Sequence, residues 1–453
     1  MPNGSVGTGE ARRGDRRERE MRGILDTTAF QSLMRRAWLA PLRKADIDVS
    51  ELPEGCGIED AWKALTTVRY AQSFHSPRAL RSSIESRDGW HTVPVSLQRT
   101  LDEISALTRK GSDLDLRAHE RKGRGFITQQ YVEEMVCNLS FDGFEVGYED
   151  LRAVILGDRP PLDAAEMLAL NFHRIMYGLD EFENAPFDEA TLEGLYEKLT
   201  EGTQGPLAAA DALPRSPLFE HYAMECGRDG CGRPTLRIVV DAATGCASDP
   251  PRYPLMNSML VNCQFWRAAL FPSCNNLMGC VASRLYLLQQ GHPVFRYVPK
   301  IRILEKWRAG GYGDAAAFTF EEALATAEEN GDWTPYYDVV MRLMLKEVRS
   351  IARSLSVKAR VDEDAVAGID RIPGLAHRQR DVLRSAVLIP DKTFRISSHQ
   401  KTYGIAYSTA RGDLENLADA GLLSRFVDGQ AYSYRAAACL RAVLSSREEP
   451  RLS

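Results

Sequence analysis

Apolar residues recur at helical spacing along most of the chain. In Ile58–Tyr70 (IEDAWKALTTVRY) and Val95–Leu107 (VSLQRTLDEISAL) they return every three to four positions, which predicts two helices. A polar loop, HSPRALRSSIESRDGWHT, lies between them. The same period continues through 128–176 in TQQYVEEMVCNL, in YEDLRAVILG closed by Gly157, and in DAAEMLALNFHRIMYGL. Pro160-Pro161 separates the last two. Leu195–Thr203 predicts another helix, ending at Gly202. The β signal in this half is Thr235–Asp241 (TLRIVVD), β-branched and apolar, with turn residues in Ala242–Gly245; it reads as a hairpin.

Tyr253–Pro293 reads as two apolar helices joined by one tight polar loop. The first helix runs over Leu255–Leu270. Pro272, Ser273, Asn275 and Asn276 make the turn, and the second helix ends at Gly291-His292-Pro293. Such a loop points backbone N–H groups at the space above it and forms a cradle for an anion or phosphate. Leu277, Val281, Leu285 and Leu288 make a helical core stripe. Residues 315–355 read as helical, and Val357–Pro373, charged and punctuated by Gly368 and Pro373, reads as a linker. From Ala376 the pattern changes. RQRDVLRSAVLI, SSHQKTYG and STARGDLENLADAG predict three helices, the last capped by Ser408 and stopped by Gly421. LLSRFVDGQAYSYRA then predicts two strands around Asp428-Gly429. That order is a winged helix-turn-helix.

At 453 residues the chain has room for two or three domains, and 26% charged with 44% hydrophobic residues is ordinary for a soluble globular protein. The net charge of -5 excludes a global attraction to nucleic acid, so any DNA contact must come from a local patch. No apolar run approaches the ~18–20 residues of a membrane span. The Gly- and Arg-rich start lacks the apolar region of a secretory signal and reads as a disordered basic tail. Nine cysteines are scattered without a framework, which fits reduced thiols and a cytoplasmic location. His221, Cys226, Cys231 and Cys246 cluster, but not as two closely spaced pairs, so no structural zinc is expected.

Several segments in one order resemble the bacterial Fic (Fido) domain proteins that carry an N-terminal helical region and a C-terminal winged helix. They are LPEG…AWKAL, VSLQRTLDEI, YVEEMVCNLSFDGFE, LGDRPP, LTEGT, RIVVDAATG, YPLM…GHP and STARGDLENLADAGLL, from about Leu52 to Ala437. The resemblance implies a mainly α fold: a Fic-like helical core with a small β-hairpin flap, plus the winged helix. It divides the chain into a tail (1–24), an N-terminal helical region (25–130), the Fic-like core (131–350), a linker (351–375) and the winged helix (376–453).

The family motif is His-Pro-Phe-x-(Asp/Glu)-Gly-Asn-Gly-(Arg/Lys)-x-x-Arg. Counting from both ends of Tyr253–Pro293 puts Ala269 at the His position, Ser273 at the acidic position and Cys274 at the first Gly. Asn275 matches the Asn; Asn276 replaces the second Gly, Leu277 the Arg/Lys and Cys280 the final Arg. The resemblance implies that the lost His was the base, the lost carboxylate the magnesium ligand, and the lost arginines the phosphate clamps. Losing a general base alone costs ~10²–10⁴ in rate. A neutral hydroxyl is a poor partner for a hard cation. Magnesium and other metals are therefore not expected, while a nucleotide-like ligand on Ser273, Cys274, Asn275, Asn276, Gly279 and Cys280 is left open.

The family's inhibitory helix, Ser/Thr-x-x-x-Glu-Gly, is matched by Asn138-Leu-Ser-Phe-Asp142-Gly143. Its acid should meet the last motif arginine, here Cys280, so a buried Asp142 would be costly or protonated. Arg237, Ile238 and Val239 fall on the flap that would hold a target by strand addition. Cys274 and Cys280 flank a helix start, where a thiol can be activated, but buried inert thiols are the simpler reading. In the winged helix, Thr409, Arg411 and Arg425 are the expected DNA contacts; Asp413 and Glu415 on the same helix oppose them, which keeps protein docking open. The expected function is a degenerate Fic protein that has lost AMP transfer and binds a ligand, a partner or DNA as a regulator, with a homodimer left open. The alternative is an enzyme reusing the altered cleft, for example in small-molecule biosynthesis, and the third is residual protein adenylyltransferase activity.

Overall fold

The computed structural model describes residues 23–52, 54–75, 89–119, 132–203, 235–244, 252–268, 270–313, 316–389, 392–428 and 431–445. The chain is mainly helical, with small antiparallel sheets. It divides into two compact units, residues 1–110 with 131–347, and residues 111–130 with 348–453.

The first unit opens with α1 (Thr28–Leu39), α2 (Ile58–Ala71) and α3 (Val95–Thr108). A two-residue pair that the polar loop did not announce, β1 (Phe74–His75) and β2 (Trp90–His91), joins α2 to α3. In the second unit, α4 spans Asp113–His119. The first unit resumes with helix α5 (132–141), α6 (Tyr148–Leu156), α7 (Ala164–Tyr177), α8 (Glu189–Thr200) and α9 (Arg237–Thr244). Then come α10 (Pro254–Ala268), α11 (Asn275–Gln289), α12 (Lys300–Arg308) and α13 (Phe320–Asn330). Asp163 and Asp188 cap α7 and α8 through their side chains.

The helix α11 is the axis of this unit. Every residue from Asn276 to Leu288 is buried, so the single core stripe expected from Leu277, Val281, Leu285 and Leu288 becomes burial on all sides. It packs along α10 and against α7 and α8. Gly279 permits the close crossing: a Cβ there would meet the Asn262 carbonyl oxygen at 2.9 Å. A buried Arg69–Asp332 pair (2.7 Å) ties α2 to the chain beside Trp90, whose N–H donates to the Gly331 carbonyl.

The expected flap hairpin is not a hairpin. Arg237, Ile238 and Val239 begin the helix α9. Val239, Val240, Ala242 and Ala243 are buried and α9 packs on α10, while Arg237 and Asp241 pair one turn apart at 2.8 Å. Burial at helical spacing and an i,i+4 ion pair override the β preference of Ile-Val-Val.

The segment read as a linker is also helical. A long helix, α14, runs from Thr334 to Arg371. Its later residues Ala365 and Ile369 belong to the core of the second unit, so their spacing, not the charges around them, decides the conformation. That unit continues with α15 (His377–Leu388), β3 (Phe394–Arg395), α16 (Ile396–Tyr403) and α17 (Tyr407–Asp419). The strands β4 (Leu423–Asp428) and β5 (Ala431–Ala436) and the helix α18 (Leu440–Ser445) complete it. The helix α17 starts at Tyr407 with Ala406 as N-cap, not at a Ser408 cap. The expected hairpin pairs Arg425 with Tyr434 and Val427 with Tyr432; β3 adds a third strand in the order β3-β5-β4.

Gly368 lets α18 reach α14, because a Cβ would lie 1.9 Å from the Leu444 carbonyl oxygen. Gly368→Ala should therefore destabilise the chain by at least about 2 kcal/mol. Gly412→Ala on α17, with nothing within 4 Å of the added carbon, should stabilise it by about 0.5–1 kcal/mol. Chemical denaturation of both variants checks the pair, and equal effects would refute the assigned contact.

Candidate functional site

The loop between α10 and α11 is held by its own residues. Asn275 uses both ends of its side-chain amide on Phe271: Oδ1 accepts from the Phe271 N–H at 2.9 Å and Nδ2 donates to the Phe271 carbonyl at 2.8 Å. Phe271 stacks on Tyr196 of α8, with centroids 4.0 Å apart and planes 5° apart. The Tyr196 hydroxyl and Ser273 Oγ lie 3.1 Å apart. Cys274 has φ 57°, the one positive φ at a non-glycine among the described residues. The loop thus keeps a backbone conformation suited to glycine although a Cβ is present, at a cost of about 1 kcal/mol.

The N–H groups at the start of α11 point at a carboxylate from the same chain. Asp142, just past α5, accepts from the Asn276 N–H through Oδ1 and from the Leu277 N–H through Oδ2, each at 3.0 Å. Gly143, at φ 87°, turns the chain away after it. The match continues along both helices. Asn138 accepts from the Asn276 side chain at 3.1 Å and from the Cys280 thiol at 2.9 Å. Glu134 accepts from Arg284 at 3.0 Å, with both side chains buried. Glu134, Asn138 and Asp142 are spaced by four on α5 and its end; their partners at 284, 280 and 276 are spaced by four in the opposite direction. Two helices crossing antiparallel with one polar face each produce this register.

Glu134 also accepts from the N–H groups of Ile301 and Arg302, both at 3.2 Å, and so caps α12. One short helix therefore supplies a carboxylate to each of two buried helix N-termini. Beside this cluster, buried Lys300 donates to Ser283 Oγ at 2.5 Å, and burial, aided by Arg284, pulls its pKa down to about 7.

Burial dominates the electrostatics at Asp142. The two N–H bonds favour the carboxylate, yet desolvation outweighs them and pushes its pKa up to about 7. Burial likewise pushes the Cys274 thiol up to about 12 and raises that of Cys280, so neither is a ready thiolate. His292 is buried, with Nδ1 3.0 Å from Thr108 Oγ1, and serves packing.

Of the residues expected to bind a ligand, Ser273 to Asn276 and Cys280 come together around the start of α11, with their polar atoms engaged inside the protein. Gly279 faces α10. Ala269, His221, Cys226, Cys231 and Cys246 lie outside the described residues. Tyr196 and Glu134 were not singled out from sequence; the spacing of Glu134, Asn138 and Asp142 was the available signal for the second.

In the C-terminal unit, Thr409 and Arg411 are exposed at the start of α17. Asp413 is not an exposed phosphate-repelling charge. It is buried, and its carboxylate takes Arg378 Nε at 2.9 Å and lies 3.0 Å from His399 Nε2. Those partners hold its pKa below the usual carboxylate value despite burial. Glu415 pairs with Arg411 at 2.9 Å. Arg425 lies over the Tyr432 ring, 4.8 Å from its centre.

No family model and no curated protein sequence matches the chain. A solved structure of a Fic family protein from Desulfovibrio desulfuricans G20 is similar, at 14% identity and a TM-score of 0.42, over 77% of this chain and 97% of that one.

Two measurements follow. Cys274→Gly should be more stable than Cys274→Ala by about 1 kcal/mol, because both remove the buried thiol but only glycine removes the Cβ from the positive-φ position; an alanine variant as stable as the glycine one would refute the strain. Asp142 carries a proton in the folded chain that the unfolded chain releases near 3.8. Its contribution to stability is therefore fully present below pH ~4, falls as pH rises to ~7 and is level above that. Asp142→Asn should flatten the difference between pH 4 and 7 in denaturant titrations; parallel pH profiles would refute the assignment.

Proposed function

We propose that this chain is a degenerate Fic-like protein that does not transfer AMP and works as a DNA-binding regulator through its C-terminal unit. The observation that carries the first half is the occupation of the α11 N–H groups by Asp142. A phosphate at a helix start needs those donors. Here it would have to displace an internal carboxylate, from a loop whose Asn275, Ser273 and Cys280 already have partners. The side chains expected to supply a metal ligand and phosphate clamps are Ser273, Leu277 and Cys280, which support the same reading.

For the second half, the order helix, strand, helix, helix, hairpin with a three-stranded sheet supports a winged helix. Burial of Asp413 removes one objection to phosphate contact, which favours DNA over protein docking, while the Arg411–Glu415 pair has to open for Arg411 to reach a phosphate. Residues 376–445 hold ten Lys and Arg against six Asp and Glu, a local positive balance in a chain of net charge -5.

Incubation with labelled ATP and magnesium should leave wild type and Asp142→Gly unlabelled; labelling of either would sink the first half. In fluorescence anisotropy with a random duplex pool, Arg425→Ala should weaken binding and reduce the salt slope by about 1. No duplex binding at low salt would sink the second half.

A further inference from the structure

Tyr434 lies on β5, the central strand of the three-stranded sheet, opposite Arg425 of β4 and Phe394 of β3. Directly opposed residues share a face of a sheet, so Arg425 and the Tyr434 ring project to the same side. Val427 and Tyr432, two residues along each strand, join that face. The helix α17 packs on β4, and the Tyr434 ring shares a core with Leu414 and Leu417 of that helix. Tyr434 is fully buried. Its hydroxyl is buried too, and it has no hydrogen-bond partner among the described residues.

A buried phenol ordinarily finds a partner, so an orphaned one marks a place where a ligand atom is missing. The charges around this hydroxyl come from two elements. Glu415, Arg411 and Tyr407 reach it from α17, and Arg425 reaches it from β4. Burial and then the Glu415 carboxylate raise its pKa, while Arg425 and Arg411 pull it back. Both arginines are exposed. Arg425 lies on the Tyr432 ring and makes no ion pair among the described residues. Arg411 is paired with Glu415 at 2.9 Å, one turn along the same helix.

We propose that Tyr434, Arg411 and Arg425 form a seat for one backbone phosphate of duplex DNA, and that Glu415 fills in for that phosphate in the free protein. The proposal rests on the DNA-binding reading above and adds to it a buried contact and an internal competitor. A phosphate accepts a hydrogen bond from the phenol and charge-assisted ones from both guanidinium groups. Glu415 satisfies Arg411 alone, through an exposed i,i+4 pair of the kind that contributes little and opens easily. The phosphate takes its place on Arg411 and gives the Tyr434 hydroxyl the acceptor it lacks.

The test uses the full chain and fluorescence anisotropy with a random duplex pool. Tyr434→Phe keeps the buried ring and removes only the hydroxyl. Duplex affinity should fall about tenfold, the effect of losing one hydrogen bond to a charged group. The melting temperature should stay level or rise, because the lost hydroxyl had no partner. Glu415→Gln should bind about threefold tighter with a steeper salt dependence, since no carboxylate remains to compete for Arg411 or repel the phosphate. Adding Arg411→Ala should abolish that gain. The seat alone is overturned if wild type binds the duplex and either Tyr434→Phe or Glu415→Gln binds just as wild type does. A fall in the melting temperature of Tyr434→Phe overturns it as well, because the hydroxyl would then have a structural partner. Displacement of the duplex by inorganic phosphate, but not by chloride at equal ionic strength, would assign the seat to free phosphate and overturn the DNA contact. Absence of duplex binding by wild type itself sinks the DNA reading and this seat with it.

Discussion

A helix that starts inside a protein must place its first N–H groups against something that accepts hydrogen bonds. In this chain the start of α11 is buried, and the acceptor is Asp142. The arrangement of the first unit depends on that contact. It fixes the register between α5 and α11, sets Asn138 against Asn276 and Cys280, and brings Glu134 to Arg284. A carboxylate at a helix start is ordinarily favoured in its charged form. The depth of burial reverses that preference, so the same contact that satisfies the helix also holds an acid whose ionisation is costly.

The surrounding loop shows how little freedom the site has left. Asn275 closes the turn onto Phe271, Tyr196 covers the turn from α8, and Cys274 stays in a backbone conformation that its Cβ resists. Strain of this kind persists only where neighbouring contacts over-determine the geometry. An anion cradle in backbone shape can therefore be a closed structural joint in substance. The difference lies in one carboxylate brought from residues far away in sequence.

The C-terminal unit uses a buried carboxylate for another purpose. Asp413 joins three helices, since Arg378 belongs to α15, His399 to α16 and Asp413 to α17. With its charge compensated inside, α17 presents Thr409 and Arg411 outward. Arg425 covers an aromatic ring on the hairpin. The acid that argued against phosphate contact when read along the helix is part of the scaffold that orients it.

The sequence by itself determined the local elements: the amphipathic helices, the tight turn at 271–276, the three helices and hairpin after Ala376, and the poverty of reactive side chains in the turn. Those follow from period, capping and turn chemistry, which act over a few residues. Tertiary structure decided the rest. It made Arg237–Thr244 a helix because its valines and alanines found a surface on α10, and it kept 357–371 helical because Ala365 and Ile369 found a core. Burial of α11 on every side was not legible, because its stripe shows only the strongest face. The resemblance set Asp142 against this helix, but at Cys280; the antiparallel crossing of two helices gives Cys280 to Asn138 and sets Asp142 one turn earlier, on the Asn276 and Leu277 N–H groups. Burial at that crossing then decides whether the carboxylate keeps its proton.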